Sequence, residues 1–204
     1  MTTRWQRIAR AQAGEQYAAA YAERFRANAD RGDDIHGEAR LVAGLVDPPA
    51  RVLDAGCGTG RIAVHLAERG YRVVGVDVDE TMLAVARAEA PELDWRFGDL
   101  AALELGEEFD VVLLAGNIVP LLEPGTLPDV ARQLAAHTAP GGLVVCGFGL
   151  DEQHLPAGCP VTPLAAYDEA MAAAGLAPVE RWSGWSREPF EEAAGYVVSL
   201  HSRR

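Results

Sequence analysis

Two aspartates and three glycines carry the chemistry available to this chain. Asp54 ends the run Val52-Leu53-Asp54, just before Gly56-Cys57-Gly58-Thr59-Gly60-Arg61, and Asp77 ends a second apolar run, Val73-Val74-Gly75-Val76. The 23 residues from Asp54 to Asp77 accommodate a tight turn, one crossover helix and a return into a parallel strand. An acid at the end of that second strand sits where a ribose diol is met. Gly56, Gly58 and Gly60 are spaced G-x-G-x-G, and Arg61 stands where a dinucleotide fingerprint has its third glycine. A carboxylate at Asp54 would repel a pyrophosphate and favour a ligand whose near end is positive. These residues ask for a nucleoside with a cationic tail.

S-adenosylmethionine meets that demand, with an ammonium, a sulfonium, a ribose diol and no phosphate. The ordered pattern D-A-G-C-G-T-G at Asp54 to Gly60, then Asp77, then F-G-D-L at Phe97 to Leu100 resembles a class I S-adenosylmethionine-dependent methyltransferase of the small stand-alone type. The resemblance implies an α/β fold in three α/β/α layers, with a doubly wound, seven-stranded, mostly parallel sheet and one antiparallel C-terminal strand. It implies S-adenosylmethionine as cofactor, contacted by Asp54, Gly56, Cys57, Gly58, Asp77, Val78, Asp99, Leu100 and Ala115. Asp99 would accept the adenine amino hydrogens while the next backbone N–H meets a ring nitrogen. The activity implied is in-line methyl transfer to an O, N or S atom of a small molecule. Such chemistry rests on positioning and exclusion of water, and no catalytic residue or metal ligand set is assigned from the sequence. A non-catalytic or regulatory module that binds the same cofactor remains open; an NAD-dependent oxidoreductase is opposed by the glycine spacing.

The elements that must position these residues follow in order. From Trp5 to about Asn28 the chain is alanine-rich and helical in period, with Tyr17, Tyr21 and Phe25 on one face. Asp33 or Asp34 caps a second helix running to about Val46, before Pro48-Pro49. In proteins of the family this region covers the cofactor cleft, so Tyr17 and His36 become candidates for touching substrate, while Tyr21 and Phe25 read as packing on the sheet. Arg40 could receive the cofactor's carboxylate or pair with Asp34 or Glu38. After the first crossover helix, ended by Gly70, Asp79 caps a helix from Glu80 to about Glu89. A short strand from Leu93 to Phe97 leads to Asp99. Phe109 to Leu114 reads as a buried strand that empties into Ala115-Gly116-Asn117, beside the switch point of an open sheet. Asn117 is the polar candidate for substrate there. Methyltransferases of nucleobases or protein glutamine commonly carry N-P-P-Y at that place; G-N-I-V-P here argues against base methylation. A helix from Leu127 to Thr138, a Pro-Gly-Gly turn and a strand from Leu143 to Phe148 come next. Gly149 to Pro163, with His154, reads as a lid. A helix from Leu164 to Ala174 and an antiparallel pair, Ala177 to Ser186 with Gly195 to Ser202, complete the chain.

At 204 residues the chain suits one domain, with residues 1–50 as a helical cover and 51–204 as the Rossmann-like core; a chain this long buries about 70% of its unfolded surface. The net charge of −12 works against nucleic acid as a partner. The three cysteines, Cys57, Cys146 and Cys159, lack metal-ligand spacing and suit a reducing cytoplasm. No apolar stretch suits export or membrane insertion.

Overall fold

The computed structural model describes residues 2–204. Strands and helices alternate as the periodicity requires: α1 Arg4–Ala13, α2 Tyr17–Asp30, α3 Gly37–Ala43, β1 Arg51–Ala55, α4 Arg61–Ala67, β2 Arg72–Asp77, α5 Glu80–Glu89, β3 Asp94–Phe97 and β4 Phe109–Leu114. There follow α6 Ile118–Leu121, α7 Leu127–His137, β5 Thr138–Gly149, α8 Leu164–Ala173, β6 Leu176–Trp182 and β7 Tyr196–Arg203. The seven strands form one sheet in the order β3-β2-β1-β4-β5-β7-β6. All neighbours from β3 to β5 pair in parallel, and β7 runs antiparallel to both β5 and β6. Winding reverses between β1 and β4, so their carboxyl ends open a crevice.

Alternation along each strand divides the core into two layers. Val52, Val73, Val111 and Leu113 pack with α3, α4 and α5 on one face; Leu53, Val74, Val112 and Leu114 pack with α7 and α8 on the other. Both faces are covered, which is why β4 reads as a continuous apolar run. A third cluster joins Ala9, Tyr17 and Ala18 of the N-terminal helices to Met82 of α5.

Three local expectations are corrected. The helix expected from Trp5 to Asn28 is two, because Gly14 takes φ 64° and the chain makes a 3-10 turn over Gly14–Gln16. The second helix is shorter than expected: Asp34 accepts the His36 N–H outside it, and Gly44 closes it at Ala43, well before Val46. Strand β5 already pairs at Thr138, opposite Phe109, and then bulges through Pro-Gly-Gly before Val111 meets Leu143. Sequence patterning places the turn there but cannot reveal a pairing made on its far side.

Candidate functional site

The crevice at the carboxyl ends of β1, β2 and β4 is a cleft of about 140 Å³. Its floor is the loop after β1, folded tightly onto β2: the N–H groups of Gly56 and Cys57 both donate to the Val76 carbonyl, at 2.8 and 2.9 Å. Gly60 starts α4 at φ 83°, and a Cβ there would lie 2.5 Å from the Trp95 ring. Only glycine combines that backbone with that contact.

Asp77 organises the loop. Its Oδ2 accepts from Gly58 N–H at 2.8 Å and its Oδ1 from Asp79 N–H at 2.9 Å. Burial raises its carboxyl to about 6, against the pull of those two donors. Asp54, at the end of β1, is 1% exposed, and its Oδ2 has no hydrogen-bond partner. Burial pushes this carboxyl to about 7, with Arg61 opposing. A buried acceptor without a donor is costly unless a ligand supplies one.

Val78, Asp99, Leu100 and Ala115 line the same cleft with Asp54, Gly56, Cys57, Gly58 and Asp77. Asp99 Oδ1 accepts from Ala101 N–H at 2.9 Å, a turn bond. The thiol of Cys57 is raised well above its ordinary value by burial and by Asp54 and Asp77.

The three residues expected at substrate, Tyr17, His36 and Asn117, are not part of the cleft wall. Tyr17 is buried and donates to Asp79 Oδ2 at 2.6 Å, alongside Trp5 Nε1 at 3.0 Å. Asp79, which caps α5 through Thr81 N–H, therefore also latches the N-terminal helices to the core. His36 stacks on His65 at 3.6 Å, with planes 6° apart, between α3 and α4. Asn117 takes φ 67°; its amide oxygen accepts from Gly149 N–H at 2.7 Å and its NH2 donates to the His154 carbonyl at 3.1 Å. Its side chain thus joins two loops, while its neighbours Gly116 and Ile118 face the cleft.

Other residues take the cleft wall. Tyr21, expected to pack on the sheet, lines it with Trp5, Arg61 and Glu123. Arg61 donates to Glu38 through both terminal guanidinium nitrogens, at 2.7 and 3.1 Å, and stacks over Phe25 at 4.4 Å. Arg40 instead pairs with Asp34 on the surface. The signal for Arg61 was visible as the residue that displaces the third fingerprint glycine; the Glu38 pairing, 23 residues distant, was not.

A family model described as a methyltransferase domain matches residues 52–142. The ubiquinone biosynthesis O-methyltransferase of Ruegeria pomeroyi is 34% identical over 80% of this chain and 75% of its own length. The chain belongs to the class I S-adenosylmethionine-dependent methyltransferases. A solved TehB-like member of that family from Corynebacterium glutamicum is 30% identical, with TM-score 0.83 over 92% of this chain and 98% of that one. A sugar N,N-dimethyltransferase from Streptomyces fradiae is 35% identical over 56% of this chain. The chain spans about half the length of that relative and of the next such dimethyltransferase. Among the described residues no helix is long and apolar enough to cross a membrane, and no group of three His, Cys, Asp or Glu could hold a metal ion.

Proposed function

We propose that this methyltransferase binds S-adenosylmethionine in the cleft and transfers its methyl group to an O, N or S atom of a small molecule. The observation that carries the reading is Asp54: a buried carboxylate with one orphaned oxygen, in a cleft whose wall also holds Asp77, Asp99 and Glu123. That acidic surround, in which Arg61 is already paired with Glu38, suits an ammonium and a sulfonium and repels phosphate. Asp77 keeps acceptor capacity on both oxygens for a ribose diol. Asp99, with the backbone at Leu100, would meet adenine, with Val78 and Ala115 beside it. Gly56, Cys57 and Gly58 admit close approach of the loop.

When bound, S-adenosylmethionine supplies a methyl already activated on a sulfonium. The chain's own work is to orient and to exclude water. Residues 1–50 act as the cover over a core of residues 51–204 in one domain. Trp5 and Tyr21 close the mouth from above, held down by Asp79 on one side and by the contacts of Arg4 with Glu123 and the Pro120 carbonyl on the other. The relatives named for ubiquinone biosynthesis and for amino sugars support a small acceptor. The net charge of −12 argues against nucleic acid, and three buried, unbridged cysteines suit a reducing cytoplasm.

Calorimetric titration of cofactor-stripped protein tests the reading. Micromolar binding of S-adenosylmethionine and S-adenosylhomocysteine, with none of NAD, supports it; NAD binding alone overturns it. Cofactor binding without transfer to phenols, amines or thiols would leave a binding module.

A further inference from the structure

A histidine and an aspartate meet on the segment that leaves β5, next to the cleft. His154 ends the 3-10 turn Glu152–His154, and its Nδ1 lies 2.8 Å from Asp151 Oδ1. The same oxygen accepts the backbone N–H groups of Gln153 and His154, at 2.9 and 3.1 Å. An ionised carboxylate only accepts, so Nδ1 carries a proton, and in the neutral ring the lone pair is on Nε2.

The surroundings hold this pair in place. Asn117, between the cleft-lining Gly116 and Ile118, donates to the His154 carbonyl and accepts from Gly149 N–H. Two glycines make the room. A Cβ on Gly149 would lie 2.9 Å from the His154 Cβ, and one on Gly195 would lie 2.5 Å from its Nδ1. Yet the His154 side chain stays 40% exposed. The titratable groups set against it are Asp151 on its own turn and Tyr196 of β7, whose ring centroid is 6.4 Å away. Gly116 lines the cleft, a Cβ on it would lie 3.9 Å from the Tyr21 hydroxyl, and Asn117 beside it holds the His154 carbonyl, so the turn that carries His154 is bonded to the cleft wall.

We propose that His154 is the general base of the transfer, positioned by Asp151, and that the acceptor is a hydroxyl or amine rather than an already ionised thiolate. The inference rests on the methyltransferase reading above. The acceptor's lone pair forms the new bond to the methyl carbon, and the carbon–sulfur bond breaks with its electron pair remaining on sulfur. The acceptor's proton passes to Nε2, and Asp151 balances the resulting imidazolium.

The test uses the full chain, with catechol as the hydroxyl probe and glucosamine as the amine probe. On whichever probe is methylated, His154→Ala should lower kcat near neutral pH by about 10²-fold or more, while S-adenosylhomocysteine still binds. Added imidazole should restore part of the rate. Asp151→Asn should lower kcat with KM and S-adenosylhomocysteine affinity unchanged, because the ring loses the acceptor that orients it. Independently of any acceptor, proton–nitrogen NMR of the S-adenosylhomocysteine complex should find His154 as the Nδ1–H tautomer. A wild-type kcat in His154→Ala, a loss confined to KM, or an Nε2–H tautomer overturns the proposal; if neither probe reacts, the tautomer decides. Failure of the unaltered protein to bind S-adenosylhomocysteine strikes the methyltransferase reading instead.

Discussion

Replacing Asp54 by asparagine separates what the ligand needs from what the empty fold tolerates. Asp54 is 1% exposed, one of its oxygens has no partner, and burial raises its carboxyl from 3.8 to about 7. Holding it ionised at pH 8 therefore costs the empty protein about 4 kcal/mol relative to the unfolded chain. The pKa is raised on folding, so the contribution of this group is fully stabilising below the unfolded value near 3.8 and is lost as pH climbs through about 7. Asp54→Asn removes the charge and its penalty but buries an amide NH2 without a partner, which costs about 1–3 kcal/mol. The net gain at pH 8 is about 2 kcal/mol, or about 4–8 °C in thermal midpoint for a chain of this size. It should vanish by pH 4. Ligand affinity moves the other way. Loss of a charge-assisted bond to the ammonium of S-adenosylhomocysteine should weaken binding by about 2 kcal/mol, roughly 30-fold. Thermal melts of the ligand-free protein at pH 8 and pH 4, with calorimetric titration at pH 8, measure both effects. A variant that melts below the unaltered protein at pH 8, or that binds as tightly, refutes the reasoning.

Asp77→Ala removes the acceptor of two backbone N–H groups and of the proposed ribose diol, and should cost about 2 kcal/mol or more in S-adenosylhomocysteine affinity; unchanged affinity by calorimetry counts against the assignment. Gly60→Ala drives a Cβ into the Trp95 ring from a backbone at φ 83° and should destabilise by about 2 kcal/mol or more in urea. An unmoved unfolding midpoint would contradict that packing. His201 is 2% exposed, and burial, with Arg181 adding to it, lowers its imidazole to about 4. Its pKa is depressed on folding, so its stabilising contribution is present above the ordinary value near 6.5 and is lost as pH falls through about 4, up to about 3 kcal/mol. His201→Gln should flatten the fall in urea stability across that window, leaving the share of His65, which burial also lowers to about 4. An equally steep fall in the variant would exclude His201 as the cause.

Short-range pattern carried much of this protein. The βαβ unit, the glycine loop, the acids at strand ends and the turn chemistry at Gly70, Asp79 and Gly175 are written in spacings of a few residues, where backbone geometry permits few alternatives. Those spacings bring Asp54, Asp77 and Asp99 to one cleft. The N-terminal aromatics show where the pattern stops. Tyr17 and Tyr21 share a helical face and differ by one turn, but only packing against α5 decides that Tyr17 reaches Asp79 and Tyr21 the cleft. Arg40 was the guanidinium that the sequence offered to the cofactor's carboxylate, yet it pairs with Asp34 on the surface, while Arg61 is the one buried beside Glu38. His154 stood in a segment without periodicity, and its pairing with Asp151 needed the room left by Gly149 at the end of β5 and Gly195 just before β7. The sequence by itself determined the fold and the cofactor loop, because local backbone preference and strand alternation act between near neighbours. The tertiary structure alone decided which side chains line the cleft, because that depends on contacts between residues far apart in the chain.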